Sequence, residues 1–232
     1  MFFGERVAAH YDDRSESPAD ETVDFLAELA GDGAALEFAI GTGRVAVPLA
    51  ERGVKVAGID NSEAMLRRLR EKTTEIEAVE GDMATTHVAG EFALVFLVFN
   101  TISNLTTQDA QVACFANAAA HLKPGGRFVI ENGVPALQSL PPGQTVLPFR
   151  ADPEGFSYDV YDVVTQNFSS QHFYIVDGKL EAYPVEFRYA WPAEMDLMAR
   201  LAGMRLEHRY AGWDRAPFTA LSPSHVSVWR KL

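Results

Sequence analysis

The chain has 232 residues, of which 47% are hydrophobic and 22% charged, and this length and composition suit a single globular domain with a sizeable core. Its formal net charge of −12 disfavours nucleic acid as a partner, because a phosphate backbone is bound by clustered lysine and arginine. The single cysteine, Cys114, excludes an internal disulfide and a thiolate metal site, and it favours a reducing cytoplasm.

No part of the sequence has the pattern of a membrane span. The first residues lack the apolar block of a signal peptide, and the longest apolar run, 92–99, is too short to cross a bilayer. The sequence also shows no cluster of metal-ligating residues. We therefore expect a soluble, cytoplasmic protein that binds neither a membrane nor a metal.

The first predicted elements surround a glycine turn. A helix is predicted from Ser17-Pro18 to Gly31, and a buried strand over 36–40 follows it. That strand runs into Gly41-Thr42-Gly43, and a second helix starts at Val45. The two glycines let the backbone turn sharply and let a ligand approach the helix N-terminus. This pattern predicts a nucleotide site, and it fits the fingerprint of NAD-binding proteins as well.

The next predicted strand, over 54–59, ends on Asp60. This carboxylate stands about 20 residues after the glycine turn, where a doubly wound sheet brings the end of its second strand beside a bound ribose. Asp60 could therefore accept hydrogen bonds from both ribose hydroxyls. It could also cap the following helix, and the two roles are compatible.

Candidate ligand residues stand at the ends of two further strands. A weakly marked strand over 76–79 is followed by Asp82, which can accept from an adenine amino group, and by Met83, which can pack on the ring. The run over 92–99 is apolar on both faces, as a central parallel strand should be, and Asn100 follows it.

Strand and helix alternation stops after the fifth predicted strand. Period-two spacing then dominates, and Asp177-Gly178 is typical of a two-residue hairpin. The elements predicted after strand four are a helix over 106–121, a fifth strand over 127–131, an antiparallel β insertion over 150–190, a helix from Pro192, and two closing strands over 204–210 and 226–230.

In order and spacing, these motifs resemble a class I S-adenosylmethionine-dependent methyltransferase along nearly the whole chain. The likeness is greatest to small-molecule methyltransferases of bacterial metabolism, including amino-sugar N-methyltransferases. Glu37 and the glycine turn match the family's first motif, Asp60 the second, and Asp82-Met83 the third. Two departures are modest: Ala39 stands where the family usually has its first glycine, and Ile40 replaces a common cysteine.

The resemblance implies an α/β fold. Its doubly wound, mostly parallel seven-stranded sheet has an antiparallel last strand, and a small antiparallel β insertion follows strand five. We expect one domain over 1–232, with the cofactor-binding core at 36–131, the insertion at 150–190, and a C-terminal helix and closing strands at 191–232.

The resemblance also implies S-adenosylmethionine as the cofactor and a methyl transfer to nitrogen or oxygen of a small-molecule acceptor. The residues expected to contact the cofactor are Tyr11, Glu37, Gly41, Thr42, Gly43, Arg44, Asp60, Asn61, Asp82, Met83 and Phe99.

Three residues are candidates for catalysis. If 226–230 is the antiparallel last strand, its start lies at the sheet edge where the parallel strands end, and His225 would then face the site, although a core or strand-end histidine that bonds the backbone is the alternative. Tyr11 belongs to an N-terminal segment that in the family often folds over the cofactor, where its ring could face the sulfonium or simply pack. Asn100 is followed by Thr101-Ile102-Ser103, whereas base-modifying enzymes have Pro-Pro-Tyr there, which argues against nucleobase methylation.

The aromatic insertion could cover an apolar acceptor, form a homodimer face, or pack within its own sheet. Two other functions remain open at the level of sequence. An NAD(P)-dependent oxidoreductase fits the glycine turn and Asp60, but the sequence lacks the Tyr-x-x-x-Lys dehydrogenase pair. A catalytically silent cofactor-binding domain is the other alternative, because methyl transfer needs no obligatory nucleophile or metal.

Overall fold

The computed structural model describes Ala8 and residues 11–14, 18–176 and 178–232. Its helices are α1 Tyr11–Arg14, α2 Asp20–Ala30, α3 Ala46–Glu51, α4 Glu63–Lys72, α5 Gln108–His121 and α6 Pro192–Leu201, with 3-10 turns at Thr101–Asn104 and Ala136–Ser139. Its strands are β1 Ala35–Phe38, β2 Val56–Asp60, β3 Glu77–Glu80, β4 Phe92–Leu97, β5 Leu122–Gly133, β6 Val146–Asp152, β7 Gly155–Asp162, β8 Asn167–Val176, β9 Lys179–Arg188, β10 Met204–Tyr210 and β11 Ser224–Lys231.

The main sheet has seven strands in the order β10-β11-β5-β4-β1-β2-β3. Strands β1 to β5 pair in parallel, and β11 runs antiparallel to both of its neighbours, β5 and β10. The strand order reverses between β1 and β4, which is where open α/β sheets bind their ligands. The predicted α/β fold with an antiparallel last strand is confirmed.

Helices cover both faces of this sheet. Buried side chains of α2, α3 and α4 pack on one face, among them Leu26, Leu49 and Leu69. Helices α5 and α6 pack on the other, where Phe115 and Trp229 are fully buried. Strands β1 and β4 are buried along their whole length, which explains their continuous apolar sequence.

The insertion is a separate four-stranded antiparallel sheet in the order β6-β7-β8-β9. It starts at Val146, four residues before the predicted boundary. The additional residues include Pro148, and β6 is an edge strand, where proline is tolerated. Asp177 lies outside the described residues, although Val176 pairs with Lys179 as a two-residue hairpin requires.

Two predicted helix starts differ from the structure. Helix α2 begins at Asp20 with Ala19 as its N-cap residue, and Ser17 lies outside the described residues. Ser62, rather than Asp60, caps α4, because its side chain accepts a hydrogen bond from the Met65 amide. Asp60 is therefore free of the capping role that was one of its two alternatives.

The insertion is fixed to the main domain by a buried polar network around Arg188. Its guanidinium donates to Gln111 Oε1 at 2.5 Å, to Glu194 Oε1 at 2.8 Å and to Gln166 Oε1 at 3.2 Å. Gln111 in turn donates to the carbonyl of Ile102 in the 3-10 turn after β4. The last residue of β9 thus connects to α5, α6 and the segment after β4.

Candidate active site

The glycine turn after β1 is held by Asp60 at the end of β2. The Gly41 amide donates to Asp60 Oδ2 at 2.7 Å, and the Ser62 amide donates to Oδ1 at 2.8 Å. Burial raises the pKa of Asp60, and the hydrogen bonds from Ser62 and Gly41 oppose that rise. The carboxylate is therefore fixed at the mouth of the turn by two backbone donors.

The glycines of this turn have different tasks. Gly41 has a φ of +56°, and a side chain at this position would meet only open space beside the Ala39 carbonyl. At Gly43 a Cβ would lie 2.4 Å from the Leu69 side chain, so this glycine lets the turn pack on α4. Ala39 itself has a φ of +53°, the left-handed conformation that glycine adopts more easily. Gly41 thus leaves space for a ligand, whereas Gly43 serves packing.

Glu37 places a buried carboxyl group beneath the turn. Its side chain is 3% exposed, and among the described residues its Oε2 has no hydrogen-bond partner. Burial and the nearby Asp60 carboxylate raise the pKa of Glu37 well above its ordinary value. An orphaned buried carboxylate oxygen beside an open glycine turn fits a cationic nucleotide cofactor.

A Glu37→Gln variant should be more stable than the wild type at neutral pH in the absence of ligand. Because the folded state raises the Glu37 pKa, the wild type binds more protons when folded and loses stability as pH rises above the unfolded value. The advantage of Gln should grow by up to about 1.4 kcal/mol per pH unit between the unfolded and folded pKa values, and disappear in acid.

Urea unfolding across that pH range measures this difference. Glu51→Gln is the control, since Glu51 is exposed at the end of α3. A stability gain that does not change with pH would contradict the assignment of Glu37 as a buried carboxyl with a raised pKa.

The N-terminal helix α1 lies over the glycine turn. Asp12 Oδ1 accepts from the Thr42 hydroxyl at 2.6 Å, and Asp12 Oδ2 pairs with Lys72 Nζ at 2.7 Å. The guanidinium of Arg44 lies 5.2 Å from the centre of the Tyr11 ring. Burial raises the pKa of Tyr11, and the Arg44 guanidinium opposes that rise. The contacts of Asp12 and Arg44 hold Tyr11 beside the cavity at the strand ends, which Tyr11 lines.

The chain leaves β4 through two consecutive left-handed residues, Phe99 at φ +56° and Asn100 at φ +59°. Such conformations cost roughly 1–3 kcal/mol each and persist where neighbouring groups enforce them. Here Glu131 Oε2 accepts from the Phe99 amide at 3.0 Å, and Asn100 Oδ1 accepts from the Gly133 amide at 2.5 Å. Glu131 Oε1 also accepts from Trp213 Nε1 at 2.9 Å.

Glu131 was not predicted as a site residue. Its position at the end of a parallel strand was the available signal, the same one that identified Asp60. Glu131 acts on the bend at Phe99 and Asn100, which follows β4, and no sequence pattern indicates that bend. Glu131 fixes the direction in which the Thr101–Asn104 turn leaves the sheet.

A cavity of about 440 Å³ lies over these strand ends. Six of the predicted site residues line it, namely Tyr11, Gly41, Asp60, Asn61, Asp82 and Met83. A second group of lining residues was not predicted: Thr101, Asn104 and Leu105 after β4, and residues 184–186 of β9. The cavity therefore extends beyond the 36–131 core to the insertion.

The other predicted residues lie outside the cavity lining. Thr42, Gly43 and Glu37 support the glycine turn, and Arg44 stacks its guanidinium 4.1 Å from the centre of the Phe99 ring. Asn100 uses its side-chain oxygen to hold the backbone of β5. Their roles toward a cofactor or acceptor stay predictions.

His225 is fully buried at the start of β11. Its Nδ1 lies 2.8 Å from the Ser227 hydroxyl, and its ring meets the edge of Phe218. Burial and the Arg209 guanidinium lower the pKa of His225 to about 4, so the ring is neutral at physiological pH. His225 is not among the residues that line the cavity, whereas Asp60 is. The catalytic role of His225 stays a prediction.

Two further findings concern the whole described chain. No helix in the described ranges is long and apolar enough to cross a membrane. Within the same ranges, no group of three or more His, Cys, Asp or Glu side chains could hold a metal ion.

The fold and the site together define a Rossmann-like α/β domain with a candidate nucleotide-cofactor site at the carboxyl ends of its parallel strands. Residues 35–126 match the family described as "Methyltransferase domain". The cypemycin N-terminal methyltransferase of a Streptomyces species is 30% identical over 200 residues, which cover 83% of this chain and 81% of that protein. The dTDP-3-amino-3,4,6-trideoxy-alpha-D-glucopyranose N,N-dimethyltransferase of Streptomyces venezuelae is 31% identical over 96 residues, about two fifths of each chain.

Solved structures agree with these matches. The CcbJ methyltransferase from Streptomyces caelestis superposes with a TM-score of 0.87 and 36% identity, over 100% of this chain and 98% of that one. A structure of S-adenosylmethionine-bound CalS10, an amino pentose methyltransferase from Micromonospora echinaspora, shares the fold at a TM-score of 0.72 and 19% identity. The chain therefore belongs to the class I S-adenosylmethionine-dependent methyltransferases, and S-adenosylmethionine is its cofactor.

Proposed function

We propose that the protein transfers the methyl group of S-adenosylmethionine to a nitrogen or oxygen atom of a small-molecule acceptor. One observation carries this proposal: residues of the cofactor motifs and residues 184–186 of the edge strand β9 line one and the same cavity. A volume of about 440 Å³ suits a small molecule beside the reactive end of a cofactor. The relatives named for amino-sugar and peptide N-terminal methylation support the same reaction class.

The chain's own residues hold the cofactor in this proposal. Asp60 accepts from the ribose hydroxyls, and Asp82 with Met83 contacts the adenine. Glu37 places a buried carboxyl near the cationic donor, whose positive charge favours the ionised form of that carboxyl, and the Tyr11 ring faces the sulfonium. When bound, S-adenosylmethionine supplies an activated methyl group on sulfur. The protein's main contribution is then to align the acceptor and to exclude water.

In this proposal the acceptor lies against the second group of lining residues, Thr101, Asn104, Leu105 and residues 184–186. Glu131 fixes the left-handed bend at Phe99 and Asn100, and this bend directs Thr101 and Asn104 into the cavity. The insertion closes the same side with residues 184–186. A proton leaving an acceptor needs a base or water, and Tyr11, Asn100 and His225 stay predictions for such roles. A homodimer through the insertion likewise stays a prediction, which a size measurement in solution would test.

Transfer of an isotopically labelled methyl group tests the proposed function. Purified protein is incubated with ¹³C-methyl S-adenosylmethionine and a bacterial extract separated into small-molecule and macromolecular fractions. We expect an enzyme-dependent label in the small-molecule fraction, on nitrogen or oxygen, and its loss in an Asp60→Ala variant. Label confined to nucleic acid or protein would contradict the proposal.

A further inference from the structure

We propose that Glu186 of the insertion selects a cationic amine as the methyl acceptor. This inference rests on the proposed function and specifies its substrate class. Among the residues that the structure describes, the charged ones lining the cavity are Asp60, Asp82 and Glu186, and none of the lining residues is a lysine, arginine or histidine. Such a cavity attracts an ammonium group and repels a carboxylate or phosphate.

The three carboxylates have different surroundings. Asp60 accepts from the Gly41 and Ser62 amides, and Asp82 accepts from the Ala84 amide at 2.8 Å. Both stand at the ends of parallel strands, where the cofactor motifs place them. Glu186 lines the same cavity from β9, which contributes no cofactor motif, and its side chain is exposed to solvent in the ligand-free protein. The negative charge available to an acceptor is therefore that of Glu186.

The strand register orients this carboxylate. Ser169 of β8 is the direct cross-strand partner of Glu186, and its hydroxyl donates to Glu186 Oε1 at 2.6 Å. No basic side chain of the described residues forms an ion pair with Glu186. One oxygen is thus held by a neutral donor, and the charge is left to pair with a ligand.

A neutral neighbour adds to the same preference. Asn104 lines the cavity, and its Nδ2 donates to the Thr101 carbonyl at 3.1 Å. Its amide oxygen makes no hydrogen bond with the described residues and can accept from a ligand, while its second N–H stays available as a donor. An ammonium group carries several donors and no acceptor, which matches an amide oxygen and a carboxylate better than a hydroxyl or an anion does.

Methyl transfer to an amine acceptor conserves atoms and charge. An ammonium group held at Glu186 first gives a proton to water. The nitrogen lone pair then forms the N–CH₃ bond while the S–CH₃ bond breaks, and that electron pair stays on sulfur. The products are a methylated ammonium and neutral S-adenosylhomocysteine, with one proton released to water.

Three probes of equal ring size test this selection: cyclohexylamine, cyclohexanol and cyclohexanecarboxylate. Their binding to protein saturated with S-adenosylhomocysteine is measured by ligand-observed NMR titration. We expect the wild type to favour the amine over the alcohol by at least about tenfold, because a charge-assisted hydrogen bond is worth that much. The carboxylate should bind most weakly.

Glu186→Gln should abolish the preference for the amine and leave S-adenosylhomocysteine affinity unchanged. Glu181→Gln is the matched control, since it removes the same charge from β9 outside the cavity lining and should keep the preference. Equal binding of amine and alcohol by the wild type, or a preference that survives Glu186→Gln, would overturn the inference. Failure of the wild type to bind S-adenosylhomocysteine would instead overturn the proposed function on which it rests.

Discussion

Arg188→Ala is expected to lower the free energy of unfolding by roughly 3–5 kcal/mol, since it removes the ion partner of the largely buried Glu194 and leaves the buried Gln111 oxygen without its donor. The Arg188 side chain is 4% exposed and that of Glu194 16%. The substitution also removes the donor to Gln111 and Gln166, so several buried groups lose partners together. Urea unfolding monitored by circular dichroism measures the change.

Arg70→Ala is the matched control for that substitution. Arg70 pairs with Glu63 at 2.7 Å, but both side chains are almost half exposed, and such surface pairs contribute about 0–1 kcal/mol. Equal destabilisation by the two variants would show that the Arg188 network does not anchor the insertion. Unchanged S-adenosylhomocysteine affinity in folded Arg188→Ala would further show that the Arg188 network fixes the insertion and takes no part in cofactor binding.

Asp60→Ala is expected to reduce cofactor affinity at least tenfold. A carboxylate that accepts from two ribose hydroxyls makes two charge-assisted bonds of roughly 1.5–3 kcal/mol each. The structure adds a cost, because the Gly41 and Ser62 amides both lose their acceptor. We therefore expect a lower melting temperature as well as weaker binding, both measurable by calorimetry.

Asp162→Ala controls for the structural part of this effect. Asp162 accepts from the Val164 amide at 2.9 Å and from the Thr165 hydroxyl at 2.6 Å, but it lies in the insertion, outside the cavity lining. It should retain cofactor affinity. If Asp60→Ala also retained it, Asp60 would be a structural residue of the glycine turn alone.

The parallel core of the fold was predictable because local signals and tertiary structure agree there. The buried strand before Gly41 and the apolar run that became β4 are continuous because both faces of those strands are covered. The edge of such a sheet brings strand ends together, so Asp60 and Asp82 could be placed at one cavity from their spacing alone.

Other features depend on contacts that sequence spacing does not encode. Glu131 acts on a bend 32 positions away, and that bend uses residues other than glycine in left-handed conformations. Glu186 reaches the cavity only because β9 passes beside the Thr101–Asn104 turn. The strand containing Pro148 was missed because its position at a sheet edge is a tertiary property.

His225 shows the limit of an argument from topology. The sequence correctly placed it at the start of the antiparallel last strand, beside the ends of the parallel strands. It could not show the direction of the side chain, which the structure directs toward Ser227 and Phe218. The position on a strand was predictable, whereas the contacts of the ring were not.

A crystal structure of the protein with S-adenosylhomocysteine tests the assignment of the active site most directly. We expect the ribose hydroxyls on the Asp60 carboxylate, the adenine beside Asp82 and Met83, and the sulfur facing the wall formed by Asn104 and Glu186. Ligand density outside this cavity, or a ribose bound without Asp60, would contradict the assignment of the active site.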